Sequence, residues 1–140
     1  MKQKFSTHWK SSTQVRKQRK YRYNAPLHIL GKFLHSPLSK ELRKEYGIRS
    51  LRVRTGDKVK IMRGNYKGTV GKILTVNVKD SFVTIEKTDR TRKDGTKSFY
   101  PFDASKVQII SLYTDDKQRA AYLHSLKKEN KNESKQEEKA

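Results

Sequence analysis

No acidic residue precedes Glu41, while ten lysines and arginines do. A chain with that imbalance repels itself in isolation, which points to a partner of opposite charge. Through Arg54 the chain carries fifteen basic residues against two acidic ones. From Thr55 to Thr114 it carries twelve against six, and from Asp115 onward seven against six. The net charge of +20 on 140 residues therefore sits mostly at the front. A polyanion is the natural partner, and nucleic acid leads, because each neutralised phosphate releases counterions.

Only 32% of the chain is hydrophobic, well under the roughly 45–50% of ordinary globular proteins. One small core is expected, with part of the chain ordering on its partner. The absence of Cys excludes disulfides and thiolate metal sites. No apolar run reaches the length of a bilayer span, and no signal-peptide pattern opens the chain, so a soluble intracellular protein without membrane insertion is expected. The cations alternate with Ser, Thr and Gln rather than backing an apolar helical face, which argues against a membrane-surface role.

Four segments follow from composition and period. Residues 1–23 lack a hydrophobic period and read as an extended basic arm. Residues 24–50 read as two short helices. Asn24 caps the first, with Pro26 in its first turn and Leu27, Leu30, Phe33 and Leu34 at helical spacing. Ser39 caps the second, Gly47 ends it, and Leu38, Leu42 and Tyr46 form its docking face. Residues 51–112 change to a strand period: Val59 and Ile61 alternate with lysines, Thr69 to Val78 is β-rich around Gly71, and Ser81 to Glu86 is a third strand. A hairpin tip is expected at Asp94-Gly95, then strands over Phe99 to Phe102 and Lys106 to Leu112. Five short strands over about sixty residues predict a small barrel. Residues 113–140 read as a helix capped by Thr114 and a charged tail disordered beyond Lys128.

Catalytic chemistry finds no footing. Gly71-Lys72 is followed by Ile73, and five residues before Gly71 stands Tyr66, so the phosphate-loop pattern fails at both ends. His8, His28, His35 and His124 never pair with acids at metal-ligand spacing. Asp57 beside Gly56 reads as a turn cap, and no nucleophile elbow surrounds any Ser. The expectation is no enzyme, no cofactor, no metal and no small-molecule substrate.

Binding is what remains. Lys10, Arg16, Lys17, Arg19, Lys20 and Arg22 supply phosphate-pairing cations, interleaved with Tyr21 and Tyr23. With Trp9 these rings are available for stacking on unpaired bases. The bland alternative is a basic tail or targeting signal. Gly64-Asn65-Tyr66-Lys67-Gly68 forms a loop whose glycines permit close backbone approach, flanked by Arg63 and Lys72. Arg90, Arg92, Lys93 and Lys97 form a second anchor on the hairpin, and His28 adds a polar contact beside the arm.

The span from Arg54-Thr55-Gly56-Asp57 through Gly64-Asn65-Tyr66-Lys67-Gly68 to Gly71-Lys72-Ile73 resembles a KOW motif, which ribosomal proteins and transcription-elongation factors share. Its flanks narrow the resemblance. Arg16-Lys17-Gln18-Arg19-Lys20, Asn24-Ala25-Pro26-Leu27-His28, Leu38-Ser39-Lys40-Glu41-Leu42, Lys93-Asp94-Gly95-Thr96 and Ser105-Lys106-Val107 resemble the large-subunit ribosomal proteins called L-twenty-four in archaea and L-twenty-six in eukaryotes. The compact Gly68-Thr69-Val70-Gly71-Lys72 spacing favours the archaeal branch. The resemblance implies a mainly β fold, an SH3-like barrel with short N-terminal helices, a basic extension and a C-terminal helix. It also implies binding to large-subunit rRNA near the polypeptide exit tunnel, beside neighbouring ribosomal proteins, and a role in subunit assembly. Where the family often carries His-Pro-Ser, this chain has Asp103-Ala104-Ser105, so no imidazole contacts RNA there. Two other readings stay open. An elongation-factor module would place a separate α/β domain before the motif, and a DNA-compacting protein would show repeats or a dimerising surface.

Overall fold

The computed structural model describes residues 5, 6, 8 and 11–137. Helix α1 spans Val15–Asn24 and α2 spans Leu27–Phe33. Strand β1 (His35–Pro37) precedes α3 (Lys40–Tyr46) and β2 (Ser50–Arg52). The remaining strands are β3 (Lys58–Ile61), β4 (Val70–Asn77), β5 (Phe82–Thr91), β6 (Lys97–Asp103) and β7 (Val107–Ser111). Helix α4 (Lys117–Glu137) is the last described element.

Five strands form one antiparallel sheet in the order β6-β5-β4-β3-β7. Its two edges, β6 and β7, are joined only by a 3-10 turn, Ala104–Lys106. Four strand spacings amount to about 19 Å, whereas three residues of 3-10 helix rise only about 6 Å. The sheet must therefore curl until its edges approach, which makes it barrel-like although no ladder closes β6 onto β7. Buried side chains fill the concavity: Val59 and Ile61 on β3, Ile73 on β4, Val83 and Ile85 on β5, Phe102 on β6, and Val107 and Ile109 on β7. Each fully buried aliphatic side chain contributes about 1.5–3 kcal/mol.

The helical segment between α1 and the sheet covers the β7 edge. Strands β1 and β2 pair as a small hairpin, Ser39 donates its N–H to the Ile109 carbonyl at 2.8 Å, and Leu38 bridges Ile109. A bare edge of this kind is an aggregation template, and the hairpin removes it. Ser39 caps α3 by accepting the Leu42 N–H, and Gly47 ends it at φ +70°, both as the residue types predict. Leu42 and Tyr46 pack against the core, with Leu38 buried beside them.

Several expectations are corrected. The arm is not extended throughout, because residues 15–24 form α1. Lys, Arg and Gln have high helix propensity, and a single docked ring replaces the apolar stripe whose absence suggested a coil. Tyr21 lies 4.9 Å from Phe5 and 6.3 Å from Phe33, measured between ring centroids. Asn24 therefore ends α1 instead of capping the next helix, and Pro26 stands at the cap of α2. In α2 Leu30 is buried, as is Leu34 just past its end, but Leu27 and Phe33 are exposed. The C-terminal helix starts two residues later than Thr114 suggests: Asp116 Oδ1 accepts the Gln118 N–H at 3.0 Å. Beyond Lys128, where composition predicted disorder, α4 continues to Glu137. Asn130 contributes to its docking, donating from Nδ2 to the Lys44 carbonyl at 2.8 Å at the end of α3.

Candidate nucleic-acid interface

Winding residues 15–24 into a helix turns a list of cations into a stripe. Arg16, Arg19, Lys20 and Tyr23 recur at i, i+3, i+4 and i+7, so they share one face. All four are exposed, and Tyr23 is 89% so. Tyr21 points the other way, into the rings of Phe5 and Phe33, which fixes the helix and leaves Tyr21 a packing residue. Arg22 lies over the Phe33 ring at 5.9 Å and pairs with Asp103 at 3.8 Å. Lys17 is exposed beside the stripe. Trp9 and Lys10 lie outside the described residues.

Asp103 shows what replaces the imidazole at that position. Its carboxylate accepts the Ser105 N–H at 3.0 Å and the Ser105 hydroxyl at 2.9 Å, capping the turn between β6 and β7. Partial burial alone raises its pKa, but the two Ser105 hydrogen bonds and the charges of Arg22 and Lys106 more than offset this and hold it below the usual carboxylate value. The ionised group faces Arg22 of the arm helix at the surface.

The loop of residues 64–68 joins β3 to β4. The Gly68 N–H reaches the Ile61 carbonyl at 2.8 Å and Lys67 N–H reaches Gly64 at 3.0 Å. Gly64 and Gly68 have φ of +88° and +90°, and an added Cβ at either would meet nothing within 4 Å. Glycine is required here by the backbone turn, and open space is left in front of it. Arg63, Asn65 and Lys67 are exposed at the same end. Tyr66 is half-buried, 5.7 Å from the ring of Tyr100 and 5.9 Å from that of Phe102.

The hairpin cations occupy the far end of β5 and β6. Gly95 at φ +82° makes the tip, and Arg92 N–H closes onto the Thr96 carbonyl at 2.8 Å. Arg90, Arg92 and Lys93 are exposed, and Lys97 pairs across the strands with Asp89 at 3.6 Å. Strand β6 is thus the common element. Its end faces the arm through Asp103, its middle packs on the glycine loop through Tyr100 and Phe102, and its start carries the hairpin. Three basic groups far apart in sequence meet along one strand. Lys72 stands apart, opposite Lys58 on the β3–β4 ladder, and His28 is exposed on α2.

Two recesses flank β6 and were not anticipated. One of about 190 Å³ lies between the glycine loop and Tyr100, with Lys106 at its rim. The other, of about 440 Å³, lies between Tyr100, Phe99 and the hairpin cations. Phe99 and Tyr100 are 47% and 46% exposed. An aromatic pair directly after a basic hairpin was the available signal for them.

Residues 12–126 match the model of a family described as ribosomal proteins L-twenty-six, eukaryotic, and L-twenty-four P, archaeal. The large ribosomal subunit protein uL24 of Methanocorpusculum labreanum is 50% identical over 113 residues, covering 81% of this chain and 93% of that protein. Its counterpart from Korarchaeum cryptofilum is 46% identical over 107 residues, 76% of this chain and 82% of its own length. That of Methanosarcina barkeri is 48% identical over 112 residues, 80% and 97% of the two chains.

Proposed function

The chain belongs to the family of eukaryotic L-twenty-six and archaeal L-twenty-four ribosomal proteins, and from that premise we propose how its three basic groups divide the work of holding rRNA. It is a structural, non-enzymatic constituent of the large ribosomal subunit in the cytoplasm. The α1 stripe of Arg16, Arg19 and Lys20, with Lys17 and Arg22 beside it, lies along a phosphate backbone, and Lys10 extends that contact. The glycine loop brings its own backbone, Arg63, Asn65, Tyr66 and Lys67 against a second strand of phosphates, with Lys72 on the adjoining ladder. Arg90, Arg92, Lys93 and Lys97 form the third contact, and His28 borders the first. Trp9 and Tyr23 are left to stack on unpaired bases.

Recognition of this kind reads shape and backbone, because A-form RNA keeps its base edges in a groove too deep for side chains. The observation that carries the reading is the meeting of the three basic groups along β6 in a member of this family. We place the protein near the mouth of the exit tunnel, among neighbouring large-subunit proteins, with a supporting role in subunit assembly.

Photo-crosslinking within purified large subunits tests the reading. Crosslinked rRNA is expected on α1, on residues 63–68 and on residues 90–97. Subunits that hold the protein with none of these three segments attached to RNA would refute it.

A further inference from the structure

We propose that the recess between the glycine loop and β6 is a pocket for one unpaired ribonucleotide, with Tyr100 as its stacking platform and Lys106 as a phosphate contact. The proposal rests on the rRNA-binding reading above but assigns residues and a ligand form that reading does not contain. Tyr100 stands at the boundary of both recesses, and nearly half of it is open to solvent. What sets Tyr100 apart from the other exposed rings is its place between the two recesses, beside Phe102, which is 4% exposed. The Tyr66 and Phe102 rings, at 5.7 and 5.0 Å, hold Tyr100 in place. Its free face is therefore presented on a rigid support, which lowers the ordering cost of stacking.

The chemistry around that face matches a nucleotide. Arg63 and Lys106 bring positive charge to one recess, and Arg90, Arg92 and Lys93 bring it to the other; among the described residues no carboxylate lines either. Asn65 adds an amide with both donor and acceptor atoms, suited to a base edge. Gly64 leaves open space in front of the loop. A paired base cannot enter, because in a duplex its faces are covered by its neighbours; an unpaired one offers both a π-face and an adjacent phosphate. An acidic peptide would use the cations but leave the ring face idle.

The test uses the full-length chain, a short fluorescent single-stranded oligoribonucleotide and a blunt RNA duplex of the same sequence. Tyr100→Ala is expected to weaken the single strand about tenfold while the duplex is held as by the wild type, and Tyr100→Phe restores the single strand. Because Tyr100 also packs on two rings, Lys106→Ala is the second variant, removing an exposed side chain; it lowers single-strand affinity severalfold. Wild-type affinity of both alanine variants for the single strand, alongside intact duplex binding, overturns the pocket and leaves the broader function standing. A wild-type chain that binds neither RNA overturns the function itself. A poly-glutamate peptide that loses the same tenfold on Tyr100→Ala shows a general anion surface and also overturns the pocket.

Discussion

The Arg119 guanidinium grips the Asp57 carboxylate with both terminal nitrogens, Nη1 to Oδ1 at 2.6 Å and Nη2 to Oδ2 at 2.8 Å, and both side chains are buried. The same carboxylate accepts the backbone N–H groups of Arg54 and Tyr113, each at 2.9 Å. Four donors thus satisfy one buried charge, and they come from the entry to β3, the exit from β7 and the first turn of α4. The pair sets where the C-terminal helix leaves the barrel. Removing one partner of such a pair costs about 3–5 kcal/mol, because the other charge stays buried without compensation. Arg119→Ala should lower the unfolding free energy measured by urea titration by that amount. A loss under about 1 kcal/mol would mean that the pair behaves as an exposed one.

Glycines that look alike in the sequence should behave differently. An added Cβ at Gly71 would lie 2.8 Å from the Glu86 carbonyl oxygen and 2.9 Å from Ile85 Cγ2, so β4 and β5 would have to part. Gly64 faces open space and carries only the positive φ. Gly71→Ala should cost about 2–3 kcal/mol, as overpacking does, while Gly64→Ala should cost about 1 kcal/mol. Thermal unfolding of the two variants gives the order, and the reverse order would contradict the close approach.

Acid should loosen the β1–β2 hairpin. His35 lies on the exposed side of β1, where slight desolvation, and then the charge of Arg52 across the ladder, lower its pKa below the ordinary imidazole value. The unfolded chain therefore takes up its proton first, and stability falls as pH drops. The contribution is fully present above about pH 6.5 and is lost on descending through the lower folded-state pKa. His35→Gln should show a shallower decline in melting temperature between about pH 7.5 and 5. Equal slopes for the two proteins would remove His35 from the account.

Local chemistry made much of this fold legible beforehand. Ser39 and Gly47 bounded α3 because a hydroxyl and an αL glycine solve helix-end problems without outside help. Val59, Ile61 and the Asp94-Gly95 tip marked strands and a turn for the same reason. What stayed hidden depends on distant partners. Asp57 showed its turn role, but Arg119 lies sixty-two residues away and nothing in its neighbourhood announces burial. The Arg22–Asp103 contact and the Tyr21–Phe33 packing likewise make α1 a docked helix, whereas its own sequence offers no apolar face. In the candidate site the cations were readable as types. Their meeting along β6, and the exposed Tyr100 between them, arise only when the sheet curls.

The helical stripe makes the arm's contribution countable. Arg16, Lys17, Arg19 and Lys20 are all exposed, and none has an acidic partner among the described salt bridges. Changing all four to Gln keeps residues of good helix propensity and leaves the Tyr21 anchor and the Arg22–Asp103 pair in place, so α1 should persist by circular dichroism. Each phosphate that is no longer neutralised should reduce the slope of log affinity against log salt by about 0.7–0.9. For four such phosphates the slope should therefore flatten by about 3, and deletion of residues 1–23 should flatten it at least as much. Sequence preference should change little, since cations on phosphates position the protein without reading bases. Titrating a large-subunit rRNA fragment at several salt concentrations measures the slope directly. If wild type, the four-Gln variant and the truncation share one slope, the arm is a spectator and the barrel alone holds the RNA.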